Sequence, residues 1–297
     1  MRMPFVARVL CGVLVFATTF TFELLASASP PQTQRGVVSD DFKDDFRKAR
    51  PQSTKPVKTS GHAGRTPPPK YTAAIPITQS FGPNAVQVGL TIWRIERVFG
   101  TTFTSTDRPG QWEWISKRVA ADTKFQDGDL LRLSFESPRA GYLYVINRDR
   151  LTDGSYGVTK LIFPVQGEDN SLAAGKLIDI PAEDHPPFRA SPSAMQAGEL
   201  LTILVTSAPL PLSLSDVALP ISDSQLIEWE EKWGGFSQRF EMKDGVGQTR
   251  TDAEHQAASR KRARDLTRED PAPQTIFVVS PRNNDGLLLN LILSYVR

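Results

Sequence analysis

The chain has little of the chemistry on which most hydrolases and metalloenzymes depend. It contains one cysteine and three histidines in 297 residues. It has no G-x-S-x-G elbow, no H-E-x-x-H pair and no G-x-x-x-x-G-K phosphate loop. The histidines His62, His185 and His255 stand in polar or proline-rich surroundings. These absences argue against a serine or cysteine nucleophile, a histidine-ligated zinc and a nucleotide-binding loop.

Strong charge of one sign is also missing. The formal net charge is +2 at pH 7, so no global field favours binding to nucleic acid. One basic run, RKRAR at 260–264, resembles a nucleic-acid patch, but acidic residues flank it and no aromatic residues alternate with it. We therefore expect no nucleic-acid partner.

No uninterrupted apolar run reaches the roughly 20 residues that a membrane-spanning helix needs. Residues 1–28 instead have the pattern of an export signal, with two arginines, an apolar segment at 9–22 and the small residues Ala-Ser-Ala at the end. We expect cleavage after Ala28, a secreted or periplasmic location and no stable membrane span thereafter. Cleavage would remove the single cysteine, Cys11, and with it any disulfide. Retention of the segment as an anchor is the alternative.

Residues 29–80 hold eight prolines, nine basic and four acidic side chains, and few large apolar residues. Such a segment buries too little surface to offset its ordering entropy, so it is predicted to be a disordered, basic, proline-rich tail. Only DDFKDDFRKAR (40–50) is expected to form a transient helical turn. The tail is either a solvated tether or an arm that contacts a partner.

Residues 85–297 are predicted to form one β-rich domain with about eight or nine strands. Apolar residues alternate with polar ones at 130–137, and the nearly continuous apolar run at 199–212 favours a central, buried strand. Short connections predict two antiparallel hairpins, 130–137 with 142–147 and 275–280 with 287–296.

One helix is predicted at 223–233, where Leu226, Trp229 and Trp233 recur on a single face that would dock onto a sheet. Residues 241–270 are predicted to be a polar insert that includes a solvated helix, started by a Thr251…Glu254 capping box. The fold class is therefore mainly β, an antiparallel β-sandwich-like domain with one docked α-helix and a disordered N-terminal tail.

Pairs of acidic residues are the remaining candidates for chemistry. Asp127 and Asp129 flank a glycine just before a strand, which is typical of a turn, although a calcium site is an alternative. Glu183 and Asp184 form a second pair. Nothing in the sequence fixes the separation of these carboxylates or raises a pKa. We therefore assign no catalytic residue, metal or cofactor.

Several motifs follow one another in a recognisable order: FQDGDLLRLSFESPRAGYLYVIN, KLIFP, AAGKLIDIP and GELLTILVTSAPLP. Over residues 86–212 this order resembles the bacterial domain of unknown function 4384 family. The resemblance implies an all-β extracytoplasmic domain, often joined to other modules, without known catalytic residues.

The expected function is that of an exported, non-enzymatic interaction module of the bacterial envelope, with another envelope protein or a cell-wall component as its partner. Trp112, Trp114, Tyr142 and Tyr144 are the candidate contact residues if they prove exposed. Aromatic residues also fit the core of a sheet, which is the other interpretation of all four. A carboxylate-dependent hydrolase acting on an envelope or saccharide substrate, through acids such as Asp127, Asp129 and Glu183, is the alternative function.

Overall fold

The computed structural model describes residues 34–37, 40–53, 85–99, 112–242, 244–259, 261 and 264–296. The predicted export signal at 1–28 lies outside these residues, as does most of the predicted tail. In the part of the chain that is described, no helix is long and apolar enough to cross a membrane.

The described chain is mainly β and forms two sheets, most of whose strands pair antiparallel. Sheet A contains, in spatial order, β1 (Gln34–Val37), β13 (Gly235–Glu241), β14 (Thr275–Pro281), β2 (Val86–Phe99), β5 (Leu130–Glu136) and β10 (Phe188–Arg189), with β3 (Trp112–Val119) beside β2 and β9 (Ile178–Ile180) beside β5. Sheet B contains β12 (Leu219–Pro220), β7 (Lys160–Phe163), β6 (Gly141–Leu151), β11 (Gln196–Thr206), β15 (Gly286–Tyr295) and β4 (Lys124–Phe125), with β8 (Ser171–Leu172) beside β6. The predicted sandwich-like architecture is confirmed.

The main core lies between the two sheets. Side chains alternate along each strand, so Leu90 and Ile92 of β2 meet Leu201 and Ile203 of β11 in one buried cluster. The strand β11 is central, paired with β6 on one side and β15 on the other, as its apolar run predicted.

Both predicted hairpins are wrong. Strand β5 pairs with β2, β9 and β10 in sheet A, whereas β6, only a few residues later, pairs in sheet B. The same step from sheet A to sheet B separates β14 from β15. Each short connection therefore carries the chain across the sandwich, and this keeps the apolar faces of both strands turned towards the same core.

The predicted docked helix is present as α2 (Asp223–Trp233). Ser222 caps it, and its hydroxyl accepts a hydrogen bond from Gln225 N at 3.2 Å. The buried face packs on the outer side of sheet B, through the cluster Tyr144, Ile146, Leu161, Leu204, Ile221, Leu226, Trp229, Trp233 and Leu288. Burial of two tryptophans explains why this helix is fixed to the sheet.

The segment at 241–270 is polar, but the expectation that it is solvated does not hold for several of its charged residues. The capping box is present at the start of α3 (Asp252–Ala258), but Glu254 is buried and forms an ion pair with Arg118 of β3. Arg250 is buried too and pairs with Asp179 of β9. Arg118 and Asp179 therefore lie on the outer face of sheet A, and the segment at 241–270 supplies the opposite charges that pair with them.

Two segments within the predicted tail at 29–80, residues 34–37 and 40–53, have regular secondary structure. Strand β1 adds to the edge of sheet A parallel to β13, and α1 (Asp40–Lys48) follows it. Phe46 is buried against Met242 and Ile276, and Arg50 is buried against Glu136. A few well-placed anchors thus order a segment whose average composition is polar. The other residues of 29–80 lie outside the described residues.

Candidate functional site: a cavity between the sheets

A cavity of about 130 Å³ lies between the two sheets, next to the short strand β10. Most of its wall is apolar and comes from strands of both sheets: Leu131, Leu133, Ile162, Phe188, Leu201 and Leu293. Pockets of this kind, mainly apolar with few polar groups, are typical of ligand sites in proteins.

Three polar side chains lie on the sheet B wall of the cavity. The hydroxyl group of Tyr295 in β15 donates a hydrogen bond to Glu199 in β11. Asn147 of β6 also forms a hydrogen bond with Glu199. The side-chain oxygen of Asn147 is buried and has no hydrogen-bond partner among the described residues. The wall therefore presents an unused acceptor beside a carboxyl group.

Burial raises the pKa of Glu199 above its ordinary value, and the negative charge of Asp149 acts in the same direction. Hydrogen bonds from Tyr295 and Asn147 oppose this increase without cancelling it. The pKa of Tyr295 is also raised, by burial and by the adjacent Glu199. Tyr295 thus remains a neutral donor, and Glu199 keeps its proton to a higher pH than an exposed glutamate.

The alternation of residues along β11 is a sequence signal that points to Glu199. Along β11 the alternation that turns Leu201, Ile203 and Val205 inwards also turns Glu199 inwards. A charged residue at an inward position of a buried strand is unusual and indicates either a buried partner or a site. No such signal is present for Tyr295 and Asn147. They come close to Glu199 only because β15 and β6 pair with β11 in the sheet.

The Asp127-Gly128-Asp129 stretch forms the predicted turn. Gly128 adopts a φ of +89°, and Asp129 Oδ2 accepts a hydrogen bond from Gln126 N at 2.8 Å. The turn also holds Ala190, at the edge of the cavity, through two backbone hydrogen bonds of 2.8 Å. Its role in this fold is therefore to fix the rim of the cavity. Within the described ranges, no three Asp, Glu, His or Cys side chains cluster as metal ligands would.

Two of the acids that could serve a hydrolase have separate partners. Asp129 lies 3.5 Å from the guanidinium of Arg94, whereas Glu183 contacts the ring of His255 at 2.7 Å. Glu183 is exposed and His255 is partly exposed. None of these residues lines the cavity.

The four candidate contact aromatics have different surroundings. Tyr144 is only 3% exposed, and its hydroxyl accepts a hydrogen bond from Leu210 N at 2.7 Å, so it is a core residue. Tyr142 is half-buried and packs against the same cluster. Trp114 is 62% exposed on β3, where it pairs with Arg97 of β2. Trp112 begins β3, and its side chain lies outside the described part of the chain.

A comparison with protein-family models found no match to this chain, and a comparison with curated proteins found none either. The resemblance to the domain of unknown function 4384 family therefore stays a prediction based on the order of motifs over 86–212.

Proposed function

We propose that this protein is an exported, non-enzymatic binding module whose inter-sheet cavity receives a small group with an apolar body and a hydrogen-bond donor at its buried end. The observation that supports this proposal is the acceptor oxygen of Asn147, which lies beside Glu199 and Tyr295 in a wall that is mostly apolar and also includes Arg189. A buried acceptor without a partner is costly, so a ligand that supplies a donor gains the hydrogen bond and removes that cost.

The size of the cavity limits what can enter. An apolar cavity of about 150 Å³ accommodates benzene, so 130 Å³ is suited to a group of similar size. That is the size of one side chain of a partner protein or of a small free ligand. A neutral donor such as a hydroxyl or an amide suits the site better than an ammonium group, whose desolvation is expensive.

Binding accounts for the geometry better than hydrolysis does. Asp129 pairs with Arg94 and Glu183 contacts His255 elsewhere on the domain, and the carboxyl group within the cavity, Glu199, is held by Tyr295 and Asn147. The proposed setting is the bacterial envelope, with another envelope protein or a cell-wall component as the source of the bound group. This setting is supported by the export-signal pattern of residues 1–28 and by the family resemblance over residues 86–212.

Methyl NMR of the full chain with two small probes tests the cavity. Benzyl alcohol and toluene have nearly the same apolar body, but only benzyl alcohol carries a donor. We expect both probes to shift the methyl resonances of Leu201 and Leu293, and we expect benzyl alcohol to bind at least threefold more tightly. If neither probe perturbs those methyls at millimolar concentration, the proposed function is wrong.

Two variants separate the acceptor from general effects. Asn147→Leu keeps the side-chain size and removes the acceptor, so the preference for benzyl alcohol should disappear while toluene still binds. Gln196→Ala changes a polar residue of the same strand as Glu199 that does not line the cavity, and it should keep the preference. A preference that survives Asn147→Leu would mean that Asn147 is not the recognition group.

A further inference from the structure

The guanidinium group of Arg50 is bound in the way that proteins bind an arginine ligand. Its Nε and Nη2 atoms donate to the two carboxylate oxygens of Glu136, each at 2.7 Å. Nη1 donates to the carbonyl oxygens of Thr267 and Asp270 at 3.2 and 2.9 Å, and Nη2 also donates to that of Pro271 at 3.0 Å. Five acceptors therefore match the five N–H groups of the side chain.

Residues next to Arg50 in the sequence also contact the domain. Phe46 packs in a buried cluster with Met242 and Ile276. A Cβ atom at Gly89 would lie 2.8 Å from the Phe46 ring, so only glycine allows this approach. On the other side of Arg50, the Arg268 side chain and backbone N–H donate to the carbonyl oxygens of Arg50 and Pro51 at 3.1 and 3.2 Å.

The groups that form this receptor belong to the β-domain, and the bound residues do not. Glu136 is 86 positions from Arg50 along the chain, and the carbonyl group of Pro271 is 221 positions away. Residues 54–84, a stretch of 31 positions, separate the bound segment from the described part of the domain. A stretch of that length spans at most about 110 Å when fully extended, so the covalent connection keeps the bound segment at a high local concentration near the domain.

We propose that this surface is a peptide-binding site for a Phe-x-x-x-Arg segment, and that residues 40–53 are its resident, exchangeable ligand. The same segment of a second copy of the chain presents the same donors, ring and backbone groups, so it can occupy the site in trans. Bidentate pairing with Glu136 selects arginine over lysine, because an ammonium group cannot match both carboxylate oxygens and the carbonyl groups at once. The proposal is independent of the inter-sheet cavity, whose lining shares no residue with this site.

A full-length chain with Phe46→Ala and Arg50→Ala has lost both anchors and tests the site directly. A fluorescent peptide of residues 40–53 should bind this variant by anisotropy, and it should bind the wild-type chain much more weakly, because the chain's own segment competes for the site. The peptide with Arg50→Lys should bind at least tenfold more weakly. The peptide with Arg47→Ala is the matched control, because Arg47 forms an ion pair with Asp44 of the same helix, and it should bind like the unmodified peptide. A folded variant that does not bind the peptide, or equal affinity of the lysine peptide, would overturn the proposal.

Hydrogen exchange of the wild-type chain keeps the proposal testable if the double variant fails to fold. Excess unlabelled peptide should compete with the tethered segment and increase exchange in α1, while β11 in the core stays protected. Exchange in α1 that is unchanged by a large excess of peptide would show that the segment is a fixed part of the fold.

Discussion

Replacing Arg250 by alanine removes the charge that neutralises a buried carboxylate beneath the segment at 241–270. In the native chain, Arg250 Nη1 donates to Asp179 Oδ2 at 2.7 Å, and Nη2 donates to the carbonyl oxygen of Glu254 at 3.1 Å. The guanidinium also lies 5.4 Å from the ring centroid of Trp93. Once Arg250 is removed, Asp179 retains a hydrogen bond of 2.6 Å from Ser134 and the longer-range attraction of Arg132, but it has no ion pair among the described residues.

The expected loss is large because neither charge is in contact with water. The side chains of Arg250 and Asp179 are 1% and 0% exposed. Removing one partner of such a pair typically lowers the free energy of unfolding by about 3–5 kcal/mol, because the other charge stays buried without compensation. For a domain of this size, that corresponds to a decrease in melting temperature of about 6–20 °C.

Lys117→Ala is the matched control. Lys117 forms an ion pair with Glu96 at 2.7 Å on the same sheet, but both side chains are 35% exposed. A surface pair of this kind contributes about 0–1 kcal/mol, so the control should unfold close to the wild type. Urea denaturation followed by tryptophan fluorescence and circular dichroism measures both variants on one scale.

The double variant Arg250→Met with Asp179→Leu completes the test. Replacing both charges by apolar side chains removes the uncompensated carboxylate, so much of the lost stability should return. If Arg250→Ala and Lys117→Ala shift the unfolding midpoint equally, the segment at 241–270 is solvated after all, and the packing argument fails.

Two further predictions concern the pH dependence of stability at Glu199 and the packing of helix α2. The pKa of Glu199 is raised in the folded state, so its contribution to stability is fully present below the unfolded value of about 4.3 and is lost as the pH rises through the folded value. Glu199→Gln should therefore gain stability relative to the wild type on going from about pH 4 to pH 8, and melting curves that stay parallel across this range would contradict the assignment. Trp233→Ala should cost about 3–5 kcal/mol in chemical denaturation, since Trp233 is buried against sheet B and donates to Asp285 at 3.1 Å. Ile227→Ala, on the exposed face of the same helix, should change stability by less than about 0.5 kcal/mol, and equal losses in the two variants would mean that α2 is not docked as described.

Features set by local periodicity were predictable from the sequence. The alternation in LLRLSFE, the apolar run of β11 and the stripe formed by Leu226, Trp229 and Trp233 each report a burial pattern within a few residues. The capping box at Thr251 and the turn at Gly128 are equally local, because the donors and acceptors involved lie within three residues of one another. These local patterns can be recognised without knowing how distant parts of the chain pack.

Strand pairing depended on contacts that the sequence does not encode locally. The short connections after β5 and β14 suit a hairpin as well as a step between sheets, and the inter-sheet core decides in favour of the step. The cavity has the same origin. Glu199, Tyr295 and Asn147 meet only because β11 pairs with β15 and β6.

The sequence alone determined that the domain is mainly β, where most of its strands and its tryptophan-bearing helix lie, and that the acids around Gly128 form a turn. Only the tertiary structure decided that the polar stretches at 40–53 and 241–270 pack against the sheets through buried charged residues. The residues that anchor these stretches are charged, so they add to a polar average composition. Arg50 pairs with Glu136, 86 positions away, and Arg250 pairs with Asp179, 71 positions away. A buried ion pair is visible only when both partners are placed in space, whereas an apolar stripe is visible in one segment.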